Sequence, residues 1–124
     1  MSKAMVIDDS RAIRMILANT LQELGYEVCH AGNGKEALAA VERENGGISL
    51  FLVDWNMPEM NGLEFVKHLR SDSRFSSVPL MMVTTETEMQ QMTTALEAGA
   101  NEYVMKPFTK EIIADKLRLM GVIQ

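Results

Sequence analysis

At 124 residues the chain fits one domain and is long enough to bury a core without help from metals or disulfides. With 47% hydrophobic and 23% charged residues it has the composition of a soluble globular protein, and no apolar run approaches the roughly 18 residues of a membrane span. A net charge of -5 with scattered Lys and Arg argues against nucleic-acid binding. The lone Cys29 cannot form an internal disulfide, and MSKAMVIDD lacks the layout of a signal peptide, so a cytoplasmic protein is expected.

Ala4-Met5-Val6-Ile7 reads as a first strand ending at Asp8-Asp9. Ile13, Ile16, Leu17, Leu21 and Leu24 then recur three and four apart, which predicts one buried helix face, capped by Asp9 or Ser10 and stopped at Gly25. Tyr26 to Ala31 reads as a second strand, and Asn33-Gly34 turns the chain into the helix formers Glu36 to Val41, which run to a stop at Asn45-Gly46-Gly47. Ile48 to Val53 is a third strand, apolar except for Ser49, and Gly62 opens a helix carrying Leu63, Phe65, Val66 and Leu69. Pro79 introduces Leu80 to Val83, a helix ends near Gly99, and a strand runs around Tyr103-Val104-Met105. A last helix after Pro107 and Thr109 turns Ile113, Leu117 and Met120 inward.

Five strand-like runs, each followed by a helix, give a (βα)5 pattern. Strands apolar on both faces imply a parallel sheet covered by helices on both sides, a doubly wound α/β sandwich. In such sheets the functional crevice lies beyond the carboxyl ends of the strands. The ends of strands one, three, four and five carry Asp8-Asp9, Asp54, Thr84-Thr85 and Lys106. Taken singly these residues are ordinary caps and surface charges; jointly they place carboxylates, a hydroxyl and an ammonium on one rim. Clustered carboxylates need a cation, and an all-oxygen set without His or Cys suits Mg2+ or Mn2+. Asp54 is the candidate nucleophile for a phosphoryl group, with the metal, Lys106 and Thr84 neutralising its oxygens.

The Asp8-Asp9 pair, DWNMPEMNG from Asp54 to Gly62, Val83-Thr84-Thr85, and the run Tyr103 to Phe108 together cover the chain. They resemble, in order, the motifs of two-component receiver domains, above all the single-domain CheY-like chemotaxis type. The resemblance implies a flavodoxin-like sheet of order 2-1-3-4-5, the strand order shared by flavodoxin and CheY, and a single receiver domain over residues 1-124 with no output domain. It implies Asp54 as phosphoacceptor from a histidine kinase. Mg2+ would be held by Asp9, by Asp8 through a water, by Asp54, and by the backbone carbonyl of Asn56. Lys106 would pair with the phosphoryl oxygens, its bond to Pro107 being of the kind that is cis in the family. Thr84 and Tyr103 would form the switch: Thr84 bonds the phosphoryl group and Tyr103 turns into the space Thr84 leaves, altering a face made of the fourth helix, fifth strand and fifth helix. The implied partners are a histidine kinase, a flagellar motor switch protein or another target, and a phosphatase, with the protein itself a monomer.

Other residues carry two readings. Thr85 is larger than the alanine often found there, and Glu86 either orients the attacking water with Asn56 or is a helix-start acid. The acidic start Glu86-Thr87-Glu88-Met89 departs from the more basic pattern of flagellar-switch binders. Met89, Met92 and Leu96 read as core before partner surface, and Ile112 with Leu119 is equally ambiguous. His30 and His68 stand without ligand partners, and Trp55 reads as a partly exposed flank. Among rivals, an aspartate-nucleophile phosphatase needs a second acid where Asn56 stands, and a flavodoxin-like carrier would meet Asp8-Asp9 where flavin phosphate sits. A phosphate sink or relay intermediate would use the same residues as a signalling switch.

Overall fold

The computed structural model describes residues 2–44, 47–85 and 90–124. The elements run β1 (Lys3–Ile7), α1 (Arg11–Glu23), β2 (Glu27–Ala31), α2 (Gly34–Arg43), β3 (Leu50–Asp54), α3 (Gly62–Ser71), a 3-10 turn at Ser73–Phe75, β4 (Leu80–Thr84), α4 (Met92–Ala98), β5 (Glu102–Met105) and α5 (Lys110–Leu119). All five strands pair in parallel, in the order β2-β1-β3-β4-β5. This is the expected alternation and the expected order.

The apolar runs explain the layering. Every residue of β3 and β4 is buried, as only a sheet covered on both faces allows. Met5, Ile7, Phe51, Val53 and Met82 point to one side, against α2, α3 and α4. Val6, Leu50, Leu52, Met81 and Val83 point to the other, against α1 and α5. Phe51 stacks edge-on against Phe75 and tilted against Phe65, both with centroids 5.8 Å apart, at the centre of the first layer.

Helix starts follow the caps. Ser10, rather than Asp9, caps α1 by accepting from Ile13 N–H; Asn33 caps α2, Thr109 caps α5, and Asn61 forms a capping box with Glu64 at α3. Gly25 follows α1 at φ 97°, a left-handed turn that a side chain would oppose. β3 starts at Leu50, later than its apolar run, although the Ser49 N–H and Oγ both donate to the Lys3 carbonyl, and it extends to include Asp54.

Two expectations about helix faces need correction. Ile16 does not belong to the buried face of α1; it is 50% exposed. The buried residues are Leu17, Ala18, Thr20 and Leu21, and at about 100° per residue Ile16 falls roughly 120° from the centre of that arc. On α4, Met92 is core, but Leu96 is 42% exposed. Ile112 and Leu119 of α5 are also exposed, whereas Met120 packs partly buried against the inner layer. Met89, Asn45-Gly46 and the acidic run Glu86 to Met89 lie outside the described residues.

Candidate phosphoryl and metal site

Parallel register builds the rim. Ile7 pairs with Val53, so the next residues, Asp8 and Asp54, leave the sheet side by side. Asp54 pairs in turn with Val83, which puts Thr84 beyond it at the end of β4. The Lys106 N–H donates to the Thr84 carbonyl at 2.6 Å, bringing the lysine to the same edge as β5 ends. The Lys106-Pro107 bond that follows is cis.

Asp8 is completely buried and almost fully committed. Its N–H donates to the Ala31 carbonyl at 3.1 Å, its Oδ1 accepts the Ser10 N–H at 2.8 Å, and its carbonyl accepts from Arg14 Nη1 at 2.5 Å. That leaves Oδ2, which accepts no hydrogen bond among the described residues, with the Lys106 ammonium 3.2 Å away as an ion pair. The same ammonium donates to Asp54 Oδ1 at 3.2 Å. One carboxylate oxygen from each of Asp8, Asp9 and Asp54 lies within 4.8 Å of the others.

Three carboxylates against one ammonium leave the pocket short of positive charge. Burial is the main cause that pushes the Asp54 carboxyl up to about 7, with Asp8 adding repulsion that Lys106 only partly offsets. Burial also works against the charge of Lys106, but the Asp54 and Asp8 carboxylates outweigh it and raise its pKa. A divalent cation fits this set: the donors are all oxygens, and Asp8 Oδ2, which accepts no hydrogen bond and has only the Lys106 ion pair among the described residues, is buried beside them.

The pKa of Asp54 sets a sign for stability. A carboxyl that holds its proton to about pH 7 when folded, but only to about 4 when unfolded, stabilises the fold below pH 4. That contribution is lost as pH rises through 7. In metal-free protein, the stability advantage of Asp54→Asn over the parent in urea titrations is therefore expected to grow from about pH 4 to about pH 7 and to level off above it. A difference independent of pH would overturn this reading.

The remaining candidates fall as follows. Thr84 is fully buried, and its hydroxyl donates to the Thr85 carbonyl at 3.3 Å. Asn56 stands in the exposed loop two residues past Asp54, and Trp55 is half-buried against the α2–α3–α4 layer. Tyr103 is half-buried on the edge strand, its ring 4.8 Å from Lys116 Nζ. His30 and His68 are exposed, and Glu86 lies outside the described residues. Sequence reasoning missed Arg14, whose bond to the Asp8 carbonyl steadies the acidic turn. No motif marks it; only the phase of α1 turns it toward the end of β1.

A parallel sheet of this order, with acids and a lysine gathered on one rim, is the architecture of a phosphorylation-controlled receiver. The chain belongs to the response-regulator family: the family profile described as response regulator receiver domain matches residues 4–118. Within that family it is CheY-like. It is 47% identical over 119 residues to the chemotaxis protein CheY1 of Helicobacter pylori, covering 95% of each chain. It is 44% identical over 116 residues to the chemotaxis protein CheY homolog of Campylobacter jejuni, covering 93% of this chain and 88% of the relative. The solved structure of Vibrio cholerae chemotaxis protein CheY4 superposes with a TM-score of 0.87 at 37% identity, covering 99% of both chains. Domains of this kind are signalling switches rather than metabolic enzymes, and the family generally binds Mg2+. Among the described residues no helix is long and apolar enough to cross a membrane.

Proposed function

We propose that this protein is a chemotaxis switch that accepts a phosphoryl group on Asp54 from a histidine kinase and presents its α4–β5–α5 face to a downstream target such as the flagellar motor switch. The observation that carries the reading is the convergence of Asp8, Asp9, Asp54 and Lys106 on one rim. Asp54 Oδ attacks the phosphorus of the donor, and the bond from phosphorus to the donor's leaving group breaks. Lys106 pairs with the transferred oxygens, and the buried Thr84 hydroxyl is a group of the right kind to bond them afterwards. Asp8, Asp9, Asp54 and the Asn56 carbonyl are the residues that would hold Mg2+, which supplies charge neutralisation for the phosphoryl oxygens. Thr84 and Tyr103 form the switch, shifting a population between two arrangements.

A phosphate sink would use the same site residues, and binding of flagellar-switch components before and after phosphorylation separates the two roles. Leu96, Met105 and Ile112 are each 42% exposed and Leu119 is 77% exposed, one or two on each of α4, β5 and α5. Apolar side chains left open on three neighbouring elements suit a partner-binding face.

Incubation with a small acyl phosphate and Mg2+ should add one alkali-labile phosphoryl group by intact-mass spectrometry, with a change in Trp55 emission. Chelation of the metal should abolish both. Phosphoryl uptake that survives chelation would overturn the reading.

A further inference from the structure

We infer that Lys116 and Glu102 form a restraint on Tyr103, a clamp across the open edge of the sheet that opposes the switch and sets its threshold. The inference rests on the proposed role of Tyr103 as a switch residue and adds what holds that residue when the site is unphosphorylated.

β5 is the edge strand, so one side of its backbone is unpaired. Side chains alternate along it: Val104 joins the layer under α1 and α5, while the Tyr103 ring packs against the opposite layer. The edge is crossed from the α5 side. Lys116 Nζ lies 3.3 Å from Glu102 Oε1 and 4.8 Å from the Tyr103 ring centroid. The same Glu102 oxygen accepts the Tyr103 backbone N–H at 2.9 Å. One carboxylate thus holds both the backbone of the tyrosine and the ammonium that faces its ring.

The arrangement is sheltered, with Lys116 28% and Glu102 21% exposed at their side chains, so solvent screens it less than a surface pair. A cation held over an aromatic face attracts the ring only in that position. If the ring turns inward toward Thr84, it leaves the ammonium, while the Glu102–Lys116 pair remains. The contact between Lys116 and the ring therefore distinguishes the two positions of Tyr103, and a contact made in one state alone shifts the equilibrium between them. An edge lysine also discourages strand pairing between molecules, but that role does not depend on where Tyr103 lies.

Lys116→Ala should raise the population of the second Tyr103 rotamer about two- to fivefold in the unphosphorylated protein, read from side-chain couplings by NMR. By linkage, the same variant should bind beryllofluoride with Mg2+ about two- to fivefold more tightly, read from Trp55 emission. Loss of a positive charge by itself would weaken anion binding, so the sign separates the clamp from general electrostatics. In a Tyr103→Ala background the substitution should lose this gain. An unchanged rotamer population, or tighter binding that persists without Tyr103, would overturn the clamp. A rotamer shift in Lys116→Ala in a protein that binds no beryllofluoride would uphold the restraint and overturn the phosphoacceptor reading instead.

Discussion

Asp54→Asn protein is expected to take up at least about a thousandfold less phosphoryl group from a small acyl phosphate than the parent. An amide has no anionic oxygen with which to attack phosphorus. Asp8 is a poor substitute, because it is fully buried with Oδ1 on the Ser10 N–H and Oδ2 in an ion pair with the Lys106 ammonium. The same substitution should make the metal-free protein more stable near neutral pH, by about 1–2 kcal/mol. It removes one of three crowded carboxylates while Lys106 keeps Asp8 as its partner. Loss of labelling together with a gain in the urea midpoint excludes misfolding as the cause. Labelling equal to that of the parent would remove Asp54 from its assigned role.

Gly62→Ala is expected to destabilise the fold by about 2–3 kcal/mol and to weaken Mg2+ binding as well. A methyl group there would stand 2.5 Å from the Asp54 carbonyl oxygen, 2.7 Å from Met82 Cε and 3.0 Å from Trp55 Cα. Met82 can move its terminal methyl, but the two backbone atoms belong to the exit from β3. The Gly62 N–H also donates to the Trp55 carbonyl at 2.9 Å, so α3 cannot back away without losing that bond. Relief must therefore displace Asp54 or the start of α3. Gly32→Ala is the control: its nearest neighbour is Oε2 at the far end of the flexible Glu36 side chain, at 3.0 Å, rather than backbone, and a change within about 0.5 kcal/mol is expected. Equal midpoints for the two variants in urea would show that the close approach at Gly62 has no cost.

Gly62 was legible only in part before the fold was known. Its position before Leu63, Phe65, Val66 and Leu69 marks a helix start, but Asn61 is the cap, and the glycine is needed because α3 begins against the backbone of Asp54. Local chemistry was easier to read elsewhere. Ser10 and Thr109 sit where hydroxyl caps belong, and the apolar runs of β3 and β4 could only be strands buried on both faces. Ile16 shows the limit of periodicity. Its spacing fits the apolar stripe of α1, yet the helix docks through Leu17, Ala18 and Leu21, and the small Ala18 gives no hydrophobic signal strong enough to rotate the expected face.

Short-range patterns encode the order of strands and helices, the parallel sandwich, and the placing of Asp8, Asp9, Asp54, Thr84 and Lys106 at strand ends. Alternation, apolar runs and caps act within a few residues, so they survive in one dimension. Which of these groups touch was set only when the helices docked on the sheet. Docking left Asp8 an oxygen for a cation, put the Lys106 ammonium between two carboxylates, turned Arg14 onto the Asp8 carbonyl, and laid Lys116 across the sheet edge onto Tyr103. These contacts join residues on separate elements, and their distances depend on packing angles and offsets that no local pattern specifies.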